Sequence, residues 1–508
     1  MGLEFGTAGI RGIVGKSIDN LNEAHVARVF EAYARYIKNN FSHVKEKTIV
    51  IGRDNRIKGR IFSIIAVNIL TSHGIKVFFN DEMLPTPFIS FLVKHKKTLG
   101  AINITASHNP KEYNGIKLYN SHGFQMLPDE IMEIKKYFDN YEKYESYIDK
   151  TVEIINTDKI LEITLDDYEY YINEVVSLKY DNKTNLSNLK IVYSPLHGTG
   201  YKFIKDIFDK LNINVIYEQN EIIEDEDFTF VSNPNPEFYD AYKNTIHLAI
   251  KENADLIIIT DPDSDRVGVA YKENGEFKLI NGNENAILIT DYLLSKKWKE
   301  NIPYYLVYSF VSTSLPSRMC QEHNIKSYIT ETGFKWIGKT IEENKGKENF
   351  FFAFEESYGS LVNETISLDK DAIQSAVLIA IIASEAKREN MNLNDKLKKI
   401  YSKYGYMKAQ SFSFELRNKE QLESIKNKFK DIKFNNANFY DYNDGIRNIE
   451  PNDMISYEFQ GTLNWVSLRP SGTEPKFKIY IHVVDNSEDN AIKIFNDILF
   501  TVKNKLNI

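Results

Sequence analysis

The chain has 508 residues, room for roughly three to four domains at ~100–200 residues each, so a single small stapled module is excluded. Lys+Arg is 63 and Asp+Glu is 71, a formal net charge of −8, so no global positive field draws in nucleic acid or an anionic membrane. Charged residues at 26% and apolar residues at 42% exclude wholesale disorder. In chain order, Lys47 to Ile51 reads as a strand running into Gly52-Arg53-Asp54, followed by a helix over Gly59 to His73 and a strand over Ile75 to Phe79. Leu99 to Ile104 is a third strand, and Asp129 to Tyr141 and Leu165 to Leu178 have helical periodicity. The polar run Lys179 to Asn188 reads as a linker. The pattern then restarts with a strand at Leu189 to Tyr193, a helix at Tyr201 to Leu211, and strands at Ala254 to Thr260 and Val267 to Tyr271. It restarts again with a helix at Asn283 to Lys297 and a strand at Tyr304 to Phe310. The last stretch differs: strands at Ile455 to Phe459, Trp465 to Leu468 and Lys476 to Val484, then a helix at Asp489 to Lys505.

This grammar predicts three similar α/β domains flanked by helices and a distinct C-terminal α+β domain. The expected boundaries are 1–178, 179–282, 283–402 and 403–508. The lone cysteine, Cys320, permits no intrachain disulfide and no Cys-based zinc cluster, which suits a reducing cytoplasm. Met1 to Gly6 lacks the basic and apolar regions of a signal peptide, and Ala372 to Ala383 is too short to cross a bilayer and reads as a buried helix. Neither nucleic acid nor membrane is an expected partner.

Open α/β sheets bind ligands where polar, glycine-rich loops leave apolar strands, and five such loops stand out. Thr105-Ala106-Ser107-His108-Asn109-Pro110 puts a hydroxyl beside an imidazole, an activated nucleophile or a plain turn. Asp261-Pro262-Asp263-Ser264-Asp265-Arg266 puts three carboxylates at alternate positions on one tight loop. They repel one another unless a cation or bases neutralise them, which points to a hard metal ion. It is not an EF-hand, because Arg266 and Lys272 stand where Gly and Glu belong. Arg469-Pro470-Ser471-Gly472-Thr473-Glu474-Pro475-Lys476 suits a phosphate loop or a polar hairpin turn equally. Thr332-Gly333-Phe334-Lys335 and Phe354-Glu355-Glu356-Ser357-Tyr358-Gly359 are not specific alone, though the paired Glu355 and Glu356 suit sugar hydroxyls, acid/base work or a solvated edge.

With Gly6-Thr7-Ala8-Gly9-Ile10-Arg11-Gly12 at the start, these segments occur in an order that resembles the α-D-phosphohexomutase superfamily across essentially the whole chain, nearest its bacterial-type phosphoglucomutase/phosphomannomutase branch. The resemblance implies that the α/β domains have mixed sheets and that the four domains are arranged around a central cleft, and it implies an intramolecular phosphotransferase acting on a small phosphosugar. Ser107 would carry a phosphoryl group and pass it to the sugar phosphate through glucose 1,6-bisphosphate, interconverting glucose 1-phosphate and glucose 6-phosphate. Asp261, Asp263 and Asp265, with a phosphoserine oxygen on Ser107, would hold one Mg²⁺ per subunit. Arg11, His108, Lys117 and Arg266 would surround the phosphoserine, and Lys370, Lys117 or His108 would act as the base. Thr332, Gly333, Lys335, Glu355 and Ser357 would meet the sugar, with Glu356 their neighbour. Arg469, Ser471, Gly472 and Thr473 would grip the other phosphate, on a domain expected to move. Ala8 stands where many relatives have Asp. Glu-Glu-Ser-Tyr-Gly is closer to the glucose-preferring pattern than to that of phosphoglucosamine mutases, while mannose and pentose phosphates remain alternatives. A monomer or homodimer in the cytoplasm is expected. Two other classes share part of the pattern: a haloacid-dehalogenase-type phosphatase using Asp261 and Asp263, against which Asp265 and the mid-chain position count, and a non-catalytic phosphosugar sensor, against which an intact Ser107-His108 and all three Asp count.

Overall fold

The structure, a computed structural model, describes residues 9–150, 152–181, 185–416, 419–446, 449–470 and 476–508. Four sheets follow one another along the chain. The first has six strands in the spatial order Ile10–Ile13, Tyr113–Tyr119, Ala101–Ile104, Thr48–Arg53, Lys76–Phe78, Ile160–Leu161. The second has five: Glu276–Ile280, Val267–Glu273, Leu256–Thr260, Lys190–Ser194, Asn214–Tyr217. The third has four: Lys326–Thr330, Tyr304–Ser309, Asn349–Glu355, Gly359–Leu361. Each has a parallel centre, whose strands are buried on both faces (Val50, Ile51, Ile258, Leu306, Phe352) beneath flanking helices.

These three sheets repeat one topological detail. A central strand ends in a motif loop, and the chain returns antiparallel beside it: Ala101–Ile104 to Tyr113–Tyr119, Leu256–Thr260 to Val267–Glu273, and Asn349–Glu355 to Gly359–Leu361. The three loops that carry Ser107, the Asp trio and Glu355 are therefore equivalent positions of one repeated unit.

The fourth sheet is wholly antiparallel, in the order Tyr406–Glu415, Lys476–Asp485, Trp465–Pro470, Ile455–Phe459, Ala437–Asp441. Its own core, including Phe429, Leu468, Ile479 and Phe495, packs under helix Glu488–Leu506. The other three units share one continuous apolar cluster that runs from Phe88 through Phe203, Ile258 and Leu288 to Ile379 and Leu397. Helix Ala372–Arg388 is the axle of that cluster, buried on nearly every side as its sequence predicts. Among the described residues no helix is long and apolar enough to cross a membrane.

Two sequence expectations change locally. The helix expected over Asp129 to Tyr141 stops at Lys135, and a 3₁₀ helix takes over at Tyr141–Tyr147. Asp139 explains the break, because its carboxylate accepts hydrogen bonds from Arg35 (2.9 Å), Lys143 (2.5 Å) and Tyr144 (3.1 Å) while its carbonyl accepts from Arg28 (2.7 Å). Part of the linker expected at Lys179 to Asn188 lies outside the described residues; its end is pinned, with Ser384 Oγ donating to Asn188 Oδ1 (2.7 Å).

Candidate active site

The Ser107 loop leaves the Ala101–Ile104 strand and reverses within a few residues. Ser107 is buried and takes a left-handed backbone, φ +53°, which costs an L-residue on the order of 1–3 kcal/mol and persists only where surroundings fix it. Thr105 supplies part of that fixing: its Oγ1 accepts from the Ser107 N–H (2.7 Å) and donates to Asp54 Oδ2 (2.5 Å).

The Asp loop faces it from the second unit. Ser107 Oγ donates to Asp261 Oδ2 at 2.8 Å, across 154 residues of sequence. Asp261 Oδ1 accepts the N–H groups of Asp265 and Arg266 (both 3.0 Å), which folds the loop on itself. One oxygen from each of Asp261, Asp263 and Asp265 lies within 4.8 Å of the others, and all three residues are buried. Gly198 lets the neighbouring turn lie flat against this loop: a Cβ there would sit 2.3 Å from Pro262 Cα. Thr199 N–H donates to the Pro262 carbonyl (2.8 Å).

Cations gather around these carboxylates. Lys117 and Asn103 are cross-strand partners and share a face. Lys117 Nζ donates to Asp263 Oδ2 (2.6 Å) and Asp265 Oδ2 (3.0 Å). Lys370, one residue before the cap of helix Ala372–Arg388, stands 3.3 Å from Asp265 and 3.5 Å from Asp369. Arg266 Nε is 3.7 Å from Asp265 Oδ1. Arg11 Nη1 donates to Asn109 Oδ1 (2.9 Å), and His108 Nδ1 lies 3.2 Å from Ser107 Oγ.

The charges respond. Burial, then Asp263 and Asp265, push Asp261 well above the usual carboxylate range. Burial pushes Asp265 the same way, but Lys117, Lys370 and Arg266 hold it below its ordinary value. Lys117 and Lys370 are raised: burial lowers them, and the carboxylates around them outweigh it. Burial, followed by Arg266 and Arg11, drives His108 far below its ordinary value, so its imidazole is neutral.

The donor set fits a hard divalent cation. It is all oxygen and it is buried, and Asp263 Oδ1 and Asp265 Oδ1 have no hydrogen-bond partner.

The third unit brings its two loops together. Gly333, at φ +106°, caps helix Phe334–Asn344, and its N–H donates to Glu355 Oε1 (2.7 Å). Lys335 is buried, and burial lowers its ammonium to about 8. Thr332 Oγ1 is buried without a hydrogen-bond partner. Glu356 turns away from that pair: its N–H donates to Ser312 Oγ (2.9 Å), and its Oε2 accepts from Ser312 Oγ (3.2 Å). Ser357 sits in the turn before Gly359–Leu361. Glu355 lies within electrostatic reach of both Lys370 and Arg266, which links the Gly333–Glu355 pair to the Asp loop. Arg469, on strand Trp465–Pro470, hydrogen-bonds Tyr480 and acts on Glu331 across the gap between the third and fourth units. Ser471, Gly472 and Thr473 lie outside the described residues, as do Gly6, Thr7 and Ala8 of the first motif.

Sequence reasoning missed Thr86. Its N–H donates to the Asp263 carbonyl (2.8 Å), its Oγ1 donates to Asp263 Oδ2 (2.7 Å), and that Oγ1 accepts from Asn103 Nδ2 (2.7 Å). A buried threonine of the first unit thus holds a carboxylate of the second. The only local signal was Pro85-Thr86-Pro87, which reads as a helix start and nothing more.

Comparison with known proteins agrees with this geometry. Models of the phosphoglucomutase/phosphomannomutase domains match in order: α/β/α domain I at residues 2–145, domain II at 169–275, domain III at 281–404 and the C-terminal domain at 413–495. A phosphoglucomutase of Staphylococcus haemolyticus is 36% identical over 97% of this chain and 93% of its own length. A phosphomannomutase of Mycoplasmoides pirum is 34% identical over 99% of this chain and 93% of its own. The open form of parafusin, a phosphoglucomutase from Paramecium, superposes with a TM-score of 0.75 at 18% identity, covering 99% of this chain and 94% of that one.

Proposed function

The chain belongs to the phosphoglucomutase/phosphomannomutase family, and from that premise we propose that it interconverts α-D-glucose 1-phosphate and glucose 6-phosphate. Phosphorylated Ser107 gives its phosphoryl group to the free hydroxyl of the sugar phosphate. The resulting glucose 1,6-bisphosphate turns over in the cleft and returns its other phosphoryl group to Ser107 Oγ. The observation that carries this reading is the 2.8 Å contact between Ser107 Oγ and Asp261, made by equivalent loops of two repeated units.

Phosphoryl transfer asks a protein for positioning and for neutralisation of spread negative charge. Arg11, Lys117 and Arg266 supply fixed positive charge around the Ser107 loop. Mg²⁺ held by Asp261, Asp263, Asp265 and an oxygen of phosphorylated Ser107 would offset the charge of the transferring group. The incoming hydroxyl needs a base, and of Lys370, Lys117 and His108 it is His108, 3.2 Å from Ser107 Oγ, that burial and the neighbouring arginines push to the neutral form, whereas the carboxylates raise both lysines. Glu355, oriented by Gly333, and Ser357 meet sugar hydroxyls with Thr332 and Lys335. Arg469, with Ser471, Gly472 and Thr473, holds the far phosphate. The fourth unit carries its own core and can swing to release that phosphate while the intermediate turns.

Glucose is favoured by the Glu355-Glu356-Ser357-Tyr358-Gly359 loop and by the phosphoglucomutase relative. A mannose reading has one specific support, the 34% identical relative named phosphomannomutase. The test couples the reaction to glucose-6-phosphate dehydrogenase, with glucose 1-phosphate, a trace of glucose 1,6-bisphosphate and Mg²⁺. NADPH production is expected, with a higher kcat/KM than mannose 1-phosphate gives in its own coupled assay. Release of inorganic phosphate without NADPH would replace the mutase by a phosphatase, and absence of both products would replace it by a non-catalytic sensor.

A further inference from the structure

Arg56 belongs to no motif that carried the functional reading, yet its side chain is fully buried beneath the Ser107 loop. Nη2 donates to the carbonyls of Ser107 (2.5 Å) and Asn109 (2.6 Å), and Nη1 donates to those of Pro110 and Tyr113 (both 2.9 Å). The four terminal N–H groups of one planar guanidinium thus gather four carbonyls from a single seven-residue reversal. Nε stands 3.4 Å from Asp54 Oδ2, the oxygen that accepts from Thr105 Oγ1. Ser107 is therefore held at both ends of its residue: its N–H by Thr105 and its carbonyl by Arg56. These two bonds fix the left-handed backbone that points Oγ at Asp261.

The same side chain also registers the loop against the second unit. The guanidinium lies over the Phe228 ring, 5.4 Å from its centroid. On either side, Arg53 Nη1 donates to Glu224 Oε1 (2.6 Å) and Asn55 Nδ2 to the Asp225 carbonyl (2.8 Å). The strand end that holds the serine loop from below is thereby fastened to the unit that carries the Asp loop. Lysine could not replace this group, since a single ammonium has three donors at one point and no planar fork.

We infer that Arg56 is a positioning residue for Ser107. It touches no substrate, and it acts by setting the conformation of the loop that presents Oγ. The inference rests on the proposed mutase reading for its catalytic consequence, but not for its structural one.

The test compares wild type, Arg56→Lys and Arg56→Ala by two readouts. Hydrogen exchange is expected to rise across residues 105–113 in both variants, with the Asp261–Arg266 segment and the remaining cores protected as in wild type. In the coupled assay, Arg56→Lys is expected to lose on the order of 100-fold in kcat, the cost of an ångström-scale misplacement, with KM for glucose 1-phosphate little changed. Millimolar methylguanidinium should restore part of the turnover of Arg56→Ala and none to Ser107→Ala. Unchanged exchange at 105–113, or wild-type kcat in Arg56→Lys, would overturn the inference, as would protection lost evenly through the chain. Thr105→Val, which removes the other tether of Ser107, serves as a reference for a loosened loop, and the same exchange pattern is expected of it. A wild type without mutase turnover would sink the functional reading alone, since the exchange arm still decides whether Arg56 sets the loop.

Discussion

The two seams beside the candidate site are built on different plans. Where the first and second units meet, Ser107, Thr86 and Lys117 reach across to Asp261, Asp263 and Asp265 through buried hydrogen bonds of 2.6–3.0 Å. Those units share an apolar cluster with the third. Where the third and fourth units meet, the fourth keeps a core of its own, and the seam is the small cluster of Val311, Tyr442, Ile449, Met454 and Tyr480, the buried contact of Thr313 Oγ1 with His482 Nε2 (2.8 Å) and Val484, which joins the shared apolar cluster. On the proposed reading the difference is functional. Groups that transfer a phosphoryl group must stand in place beforehand, whereas the grip on the far phosphate must loosen each time the intermediate turns.

Breaking the rigid side should cost most. Ser107→Ala leaves no atom to carry the phosphoryl group, and kcat in the coupled assay is expected to fall on the order of 10⁴-fold or more, as when a covalent nucleophile is removed from other enzymes. Thr86→Val keeps the shape and removes the hydroxyl that donates to Asp263. Losing one hydrogen bond to a charged group is worth roughly 1.5–3 kcal/mol, so kcat should drop about 10- to 100-fold, and a Mg²⁺ titration should shift to higher concentration. On the side of the fourth unit, Arg469→Ala should raise KM by about the same factor, for the same bond energy, while kcat falls less. If Arg469→Ala lowered kcat as far as Thr86→Val and left KM alone, the contrast between the two sides would be wrong.

The smallest effect lies away from the cleft and concerns the second unit by itself. Burial raises the Glu221 carboxyl to about 7, with Ser194 and Asn244 hydrogen-bonded to it. A carboxyl whose folded value is raised adds stability that is present at low pH and lost as pH climbs through the folded value. Glu221→Gln removes the buried charge, so its melting temperature should exceed that of wild type by a few degrees at pH 8 and converge on it at pH 5. An equal difference at both pH values would contradict the titration.

The rigid side was half legible in the sequence. The three aspartates were a local signal, carboxylates crowded on one tight loop at the end of an apolar strand, whereas the Ser107 loop read locally as a nucleophile or a plain turn and stood out only through the order of the motifs; the repeated strand–loop–return topology puts the two loops at equivalent positions of their units. Thr86 and Arg56 were not legible. Each acts through contacts that exist only after folding: Thr86 meets Asp263 across 177 residues, and Arg56 collects carbonyls 51 to 57 residues away. A buried Arg or Thr in an unremarkable segment has no pattern of its own. The break at Lys135 escaped for the same reason, since periodicity continues to Tyr141 while Arg28 and Arg35, from another helix, pull Asp139 aside. The strand Tyr406–Glu415 was also missed. Its alternating exposure belongs to the edge of the fourth sheet, where one face meets solvent and composition is mixed.

The central claim is that a phosphoryl group resides on Ser107 during turnover. Incubation of the purified protein with glucose 1,6-bisphosphate and Mg²⁺, followed by proteolysis and mass-spectrometric mapping, should find one phosphate on the peptide containing Thr105 to Pro110, at Ser107. That phosphate should be discharged when glucose 1-phosphate or glucose 6-phosphate is added. Phosphate on an aspartate of the Asp261–Arg266 loop, or an unmodified Ser107 in protein that is turning over, would contradict the account.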